Sequence, residues 1–157
     1  MKQTEVWINH LVPIMAPPKI KKGERDSMSQ DIFVSVLIPA KNEANNLKPL
    51  LEEIRVALAA ESYEIIVVDD GSTDATLHEL RQIRHDGLDT LRILHHERSL
   101  GQSTSLYHAA REARGQWLAT LDGDGQNDPA DIPGMLALVR GEPGKVDVQL
   151  VAGHRVN

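Results

Sequence analysis

The sequence has no cysteine in its 157 residues, which excludes a disulfide framework and any thiolate metal site. Aromatic residues are nearly absent, at one Phe, two Trp and two Tyr, so the core must be built from Val, Ile, Leu and Ala. No stretch approaches the roughly 18–20 uninterrupted apolar residues of a membrane span. The apolar opening VWINHLVPIMA (6–16) is interrupted by Asn9, His10 and Pro13. It also lacks the basic start and small-residue cleavage site of a signal peptide. These absences predict a cytoplasmic protein, with peripheral contact at the cytoplasmic face of a membrane left open. Positive charge is short as well, with 17 Lys and Arg against 23 Asp and Glu and a net charge of −6. A nucleic-acid partner is therefore not expected, since binding a phosphate backbone takes clustered cations. The acid surplus suits an enzyme that brings divalent cations to carboxylates.

What is present is ordinary for one folded unit: 41% apolar and 25% charged residues, at a length that supports one α/β domain. Residues 1–30 read as a flexible N-terminal extension. Pro17-Pro18 is followed by Lys19, Lys21, Lys22 and Arg25, and no period runs through the segment. Met28, just before the first clear strand, is an alternative expected start of translation. The regular pattern begins at Phe33. Phe33–Pro39 is a β-branched run expected as a strand buried on both faces. Residues 45–60 follow with helical spacing, Tyr63–Val68 is a second strand, and Thr73 or Asp74 caps a second helix. Leu91–Leu94, Trp117–Leu121 and Val146–Ala152 complete the strands. Ser103–Arg114, closed by Gly115, and Pro129–Arg140 complete the helices. Alternating strands and helices predict a mainly parallel sheet with helices on both faces. In such sheets ligands bind beyond the carboxyl ends of the strands.

That rule selects three polar clusters. Asp122-Gly123-Asp124, with Gln126 two places on, follows the fourth strand. Carboxylates at i and i+2 can turn to one side, and Gly123 allows an unusual backbone angle and close ligand approach. Two oxygens with open positions suit Mg²⁺ or Mn²⁺, although Asp-Gly-Asp is also turn chemistry. Asp128-Pro129 is read more simply as the start of the next helix. Asp69-Asp70, followed by Gly71 and the capping residues Ser72 to Asp74, ends the second strand. Adjacent acids there point in opposite directions, so one can face a base or ribose while the other braces the loop. Pro39-Ala40-Lys41-Asn42-Glu43 exits the first strand and can line the same crevice.

A fourth segment, Arg98 to Ser103, opens the third helix, where free amides favour an anion and Gln102 can reach a nucleotide. His95-His96 is read as structural, one side chain on each side of the sheet. No serine stands in G-x-S-x-G, and the glycines form neither a Walker loop nor G-x-G-x-x-G. A hydrolase triad, a P-loop NTPase and a dinucleotide oxidoreductase therefore have little support.

In series, VSVLIPAKNEANNL (34–47), EIIVVDDGSTDAT (64–76) and LATLDGDGQNDPADIP (118–133) resemble family 2 glycosyltransferases in order and spacing. The resemblance runs from about Phe33 to the last residue. The Asp-x-Asp-x-Gln form is most similar to polyprenyl-phosphate sugar transferases of the dolichyl-phosphate mannose synthase type. The resemblance implies a Rossmann-like GT-A nucleotide-sugar-binding half over 31–157. It implies that Pro39, Asn42, Glu43 and Asp70 hold the base and ribose, with Ala40, Gln102 and Gly123 also among the donor-binding residues. Asp122, Asp124 and Gln126 would hold Mg²⁺ or Mn²⁺ and the diphosphate of a UDP- or GDP-linked sugar, and Arg155 would begin the side that meets a polyprenyl phosphate lipid acceptor. Arg98 stands where relatives more often have Asn. The remainder of the acceptor half is expected to be missing, leaving donor binding without full turnover. Transfer to a sugar hydroxyl and a non-catalytic nucleotide-sugar-binding unit are the competing expectations.

Overall fold

The aliphatic runs resolve into strands whose two faces are both covered. The computed structural model describes residues 7–8, 14–15, 32–140 and 150–153. In chain order the strands are β1 (Trp7–Ile8), β2 (Ile14–Met15), β3 (Val34–Ala40), β4 (Tyr63–Asp70), β5 (Leu91–His96), β6 (Trp117–Thr120) and β7 (Leu150–Gly153). The helices are α1 (Leu47–Ala57), α2 (Thr76–His85), α3 (Gln102–Glu112) and α4 (Ile132–Val139), the last preceded by a 3₁₀ turn at Pro129–Asp131. The strands form one sheet in the order β1-β7-β2-β6-β3-β4-β5. Neighbours from β6 to β5 are parallel, whereas β2 runs antiparallel to both β6 and β7.

The period of two along β3 divides the core. Val34, Val36, Ile38 and Ala40 pack with Leu47, Leu51 and Ile54 of α1, Leu80 of α2 and Met135 of α4. On the other face Leu37 joins Ile66, Val68 and Leu118 under Ala109 and Ala113 at α3. Fully burying a Leu or Ile side chain stabilises by about 1.5–3 kcal/mol, so an aliphatic core replaces the missing aromatics. The mainly parallel α/β expectation with both faces covered is what the chain forms.

Several boundaries differ, each for a physical reason. The second strand runs on through Asp70, because Asp69 and Asp70 pair in register with His95 and His96 of a β5 that is two residues longer than expected. Trp7–Ile8 and Ile14–Met15, inside the segment expected as a flexible arm, pair with β7 and with β6 and β7. Of the strand expected at 146–152, residues 146–149 lie outside the described residues. Gly115 is not a left-handed cap, since α3 ends at Glu112 and its C-cap, Ala113, has extended backbone. A Cβ on Gly115 would stand 2.5 Å from Ser35 N and 2.7 Å from its Oγ, so glycine is needed for close approach. No helix among the described residues is long and apolar enough to cross a membrane.

Candidate donor site at the carboxyl rim

Because β3, β4 and β6 are parallel, their exits meet at one rim, and the first exit is held by the second. Four consecutive amides of the β3–α1 loop donate to side chains after β4. Asn42 N reaches Ser72 Oγ at 2.9 Å, Glu43 N reaches Thr76 Oγ1 at 2.9 Å, Ala44 N reaches Asp74 Oδ2 at 3.2 Å and Asn45 N reaches Glu79 Oε2 at 2.8 Å. Asn42 returns the bond, its Oδ1 accepting from Thr73 N at 2.8 Å. Both Asn42 and Asn45 adopt positive φ, 56° and 72°, a conformation asparagine tolerates better than most residues. The N-cap of α2 is Ala75 and not the expected Thr73 or Asp74; Asp74, one residue earlier, accepts from Thr76 N at 3.0 Å.

Asp70 is the buried hub of the rim, 4% exposed. Its Oδ1 accepts from His96 Nδ1 at 2.7 Å and Leu100 N at 2.8 Å. Its Oδ2 accepts from Ser99 Oγ at 2.7 Å and Gly101 N at 2.9 Å. Burial opposes its ionisation, but the bonds from His96, Leu100 N, Ser99 and Gly101 N outweigh it and hold the carboxyl well below the usual carboxylate range. The anion expected at the opening of α3 is thus the protein's own carboxylate. Asp69 points to the opposite face, as adjacent strand residues must. There it meets His95 Nδ1 at 2.8 Å and accepts from Ser72 N at 3.3 Å. Both acids brace loops, and Asp70 also borders the cavity described next.

Asp122 and Asp124 are exposed beyond β6. Asp122 Oδ1 accepts from Gln102 Nε2 at 2.8 Å, its backbone N–H donates to Asn127 Oδ1 at 3.1 Å, and Asp124 Oδ1 accepts from Gln126 N at 3.0 Å. Gly123 lies between them without a left-handed backbone, contrary to expectation; the positive φ of this loop is at Gly125, 74°. A Cβ at Gly123 would be a tight fit, 3.2 Å from Pro39 O and 3.4 Å from Glu43 Cγ. Asp128 caps the 3₁₀ turn through Ala130 N at 2.9 Å, as its place before Pro129 predicts.

These exits enclose an open cavity of about 340 Å³. Of the residues expected there, Pro39, Ala40 and Glu43 line it from β3, Asp70 from β4, Gln102 from α3, and Asp122, Gly123 and Asp124 from β6. Lys41, Ser99 and Gly101 come from segments already singled out in the sequence, whereas Ser105 had no signal beyond its place one turn after Gln102. Asn42 and Gln126 do not line it: Asn42 ties two loops together, and Gln126 supports Asp124 through its main chain. Arg155 lies outside the described residues. Arg98 is exposed, and its main chain packs on Gly71. A larger open cavity, about 410 Å³ between α2 and β5, is lined by Arg81, Arg84, His85 and His95 among others. It contains none of the acids gathered at the rim.

The donor set at Asp122 and Asp124 fits a hard divalent cation, being oxygen only, exposed and two residues apart. Among the described residues there is no group of three or more His, Cys, Asp or Glu that could hold a metal ion. Mg²⁺ and Mn²⁺ sites with one or two carboxylates ordinarily fill their remaining positions with water and substrate phosphate, so the open set is compatible with such an ion.

Residues 35–156 match glycosyl transferase family 2. The chain is 38% identical over 139 residues to a dodecaprenyl-phosphate galacturonate synthase of Rhizobium johnstonii, covering 87% of this chain and 39% of the relative. It is 33% identical over 122 residues to a dolichol-phosphate mannosyltransferase of Mycosarcoma maydis, covering 74% and 41%. The chain thus spans about two fifths of the length of these relatives. Its fold is similar to that of a mannosyltransferase from Pyrobaculum calidifontis in complex with GDP-Man and Mn²⁺, with a TM-score of 0.62 at 24% identity over 73% of this chain and 34% of that one. It is also similar to glucosyl-3-phosphoglycerate synthase from Mycobacterium tuberculosis with UDP, with a TM-score of 0.55 at 24% identity over 72% and 42%. The order of the three motifs, the sheet they end and these likenesses agree, and the chain belongs to glycosyl transferase family 2.

Proposed function

We propose that this chain binds a UDP- or GDP-linked sugar at the β3–β4–β6 rim and serves its transfer to a polyprenyl phosphate. The observation that carries the reading is the convergence of Glu43, Asp70, Gln102, Asp122 and Asp124 on one cavity from four separate elements. The names of the Rhizobium and Mycosarcoma relatives support the lipid-phosphate acceptor.

Glu43 and Asp70 line the cavity and would face base and ribose, and Lys41 adds a cation to the lining. Asp122 and Asp124 would hold Mg²⁺ or Mn²⁺, and Gln102 fixes the orientation of Asp122 by its amide. The bound cation would supply Lewis-acid stabilisation of the departing diphosphate. Four amides of the β3–α1 loop are already spent on side chains, so that loop contributes shape rather than a phosphate cradle. A phosphate acceptor is already an anion and needs no general base; positioning and leaving-group stabilisation suffice.

The experiment supplies a panel of UDP- and GDP-sugars and Mn²⁺ with either a polyprenyl phosphate in detergent or an oligosaccharide, and follows sugar into organic-extractable lipid and into the oligosaccharide. Lipid-linked sugar supports the reading. Product on an oligosaccharide hydroxyl alone contradicts the acceptor class. Donor binding with neither product reduces the chain to a nucleotide-sugar-holding unit.

A further inference from the structure

His96 lies outside the cavity and outside the expected ligand set, yet it joins a chain of hydrogen bonds that leads into both. Its side chain is only 10% exposed. Nδ1 stands 2.7 Å from Asp70 Oδ1, and Nε2 stands 2.9 Å from Nδ1 of His108 on α3. The two imidazoles meet edge-on at 88°, with centroids 5.0 Å apart. An ionised carboxylate only accepts, and the four donors around Asp70 keep it ionised. His96 therefore carries its proton on Nδ1, and Nε2 is left to exchange a hydrogen bond with His108. From Asp70 the chain continues through Ser99 Oγ, Leu100 N and Gly101 N. Gln102 follows directly as the first residue of α3, and its amide holds Asp122 Oδ1 at 2.8 Å. The path thus leads from α3 through β5 and β4 to the end of β6.

We propose that His96 is a positioning residue of the donor site: its Nδ1–H orients Asp70, which holds the 99–101 segment and so sets Gln102 against Asp122. This inference rests on the donor-site reading above. The pair His95–Asp69 is its internal control, with the same residue types and the same strand register on the opposite face. Asp69 does not line the cavity; it accepts from Ser72 N, and Ser72 Oγ accepts from Asn42 N of the β3–α1 loop, so the control pair acts on that loop and not on Gln102.

The two links of His96 can be cut separately. Asparagine at 96 places an amide N–H where Nδ1 stands, keeping the bond to Asp70 and losing His108. Glutamine places its amide at the Nε2 position, keeping the partner at His108 and leaving Asp70 one donor short. The test combines three readings on the whole 157-residue chain: ¹⁵N NMR of the histidine rings, thermal melts, and calorimetric titration with UDP and GDP in Mn²⁺. Expected are an Nδ1-protonated ring for His96, nucleotide affinity for His96→Asn within about threefold of wild type, and affinity for His96→Gln weaker by roughly tenfold or more, as loss of a bond to a charged group implies. His95→Gln should weaken affinity less than His96→Gln, whatever it does to the melt, because it leaves the path to Gln102 intact. An Nε2-only tautomer at His96, or equal affinity for the Asn and Gln variants in folded protein, overturns the inference. Wild-type protein that binds neither nucleotide refutes the donor-site reading and this inference with it, while an Nδ1-protonated ring would still establish the bond to Asp70.

Discussion

Adding one methyl group at Gly71 should damage both stability and the donor site, and its size can be worked out from the structure. Gly71 has φ 66°, and an added Cβ would stand 2.6 Å from Arg98 C and 2.6 Å from Ser99 N, both main-chain atoms. Alanine in a left-handed conformation costs roughly 1–2 kcal/mol. Forcing the packed backbone aside adds about 1–3 kcal/mol, so Gly71→Ala should lose about 2–5 kcal/mol. For a chain of this size each kcal/mol moves Tm by about 2–4 °C. Gly125→Ala isolates the first cost, because Gly125 has φ 74° with nothing within 4 Å of a Cβ. Gly134→Ala supplies the opposite sign, since Gly134 lies inside α4 with open space around it and helix propensity favours alanine by about 1 kcal/mol. Urea denaturation of the three variants beside wild type is the assay. A Gly71→Ala loss no greater than that of Gly125→Ala would refute the claim that the 98–99 segment is pressed against this turn.

Three further outcomes are expected. Glu64 is buried and takes Ser35 Oγ at 2.7 Å, Arg114 N at 2.7 Å and Arg92 Nη1 at 2.9 Å; Glu64→Ala removes the acceptor of all three, though Arg92 keeps Glu112, and should cost about 3 kcal/mol of unfolding free energy, read by urea denaturation. Asp70 has a folded pKa depressed below its unfolded value, so its contribution is fully present above about pH 4 and is lost as pH falls through that value toward the folded one. The Asp70→Asn melt should therefore fall less steeply than wild type between about pH 4 and pH 2. Gln102→Ala should weaken metal-dependent nucleotide binding by about tenfold while leaving Tm within a few degrees, since the bond it removes is exposed and meets a charged partner.

The parallel strands β3 to β6 were legible because β-branched runs bounded by Pro, Asp and Gly have few other uses, and parallel topology then places their ends on one rim. That logic located Glu43, Asp70, Asp122 and Asp124 together. It did not expose what Asp70 does, because its four donors lie 26 to 31 residues away and two of them are main-chain amides. The usable signal was the pair of doublets, Asp69-Asp70 and His95-His96, ending neighbouring parallel strands; in-register pairing then sets acid against imidazole on both faces. Gly115 looked like a helix cap because glycine so often follows a helix, whereas its constraint comes from Ser35, 80 residues away. Of the two features expected of Gly123, an unusual backbone angle and room for close ligand approach, the first is absent, and a Cβ there would fit tightly against Pro39 O. The strands at Trp7–Ile8 and Ile14–Met15 are two residues each, too short for any period to register.

The most direct test is calorimetric titration of the folded chain with UDP and GDP, each in Mn²⁺ and in chelator, beside Asp124→Asn. The account predicts that one nucleotide binds in Mn²⁺, that chelator abolishes the binding, and that Asp124→Asn loses it while melting like wild type. Binding that is unchanged by chelator and by Asp124→Asn, or folded protein that binds neither nucleotide, would contradict it.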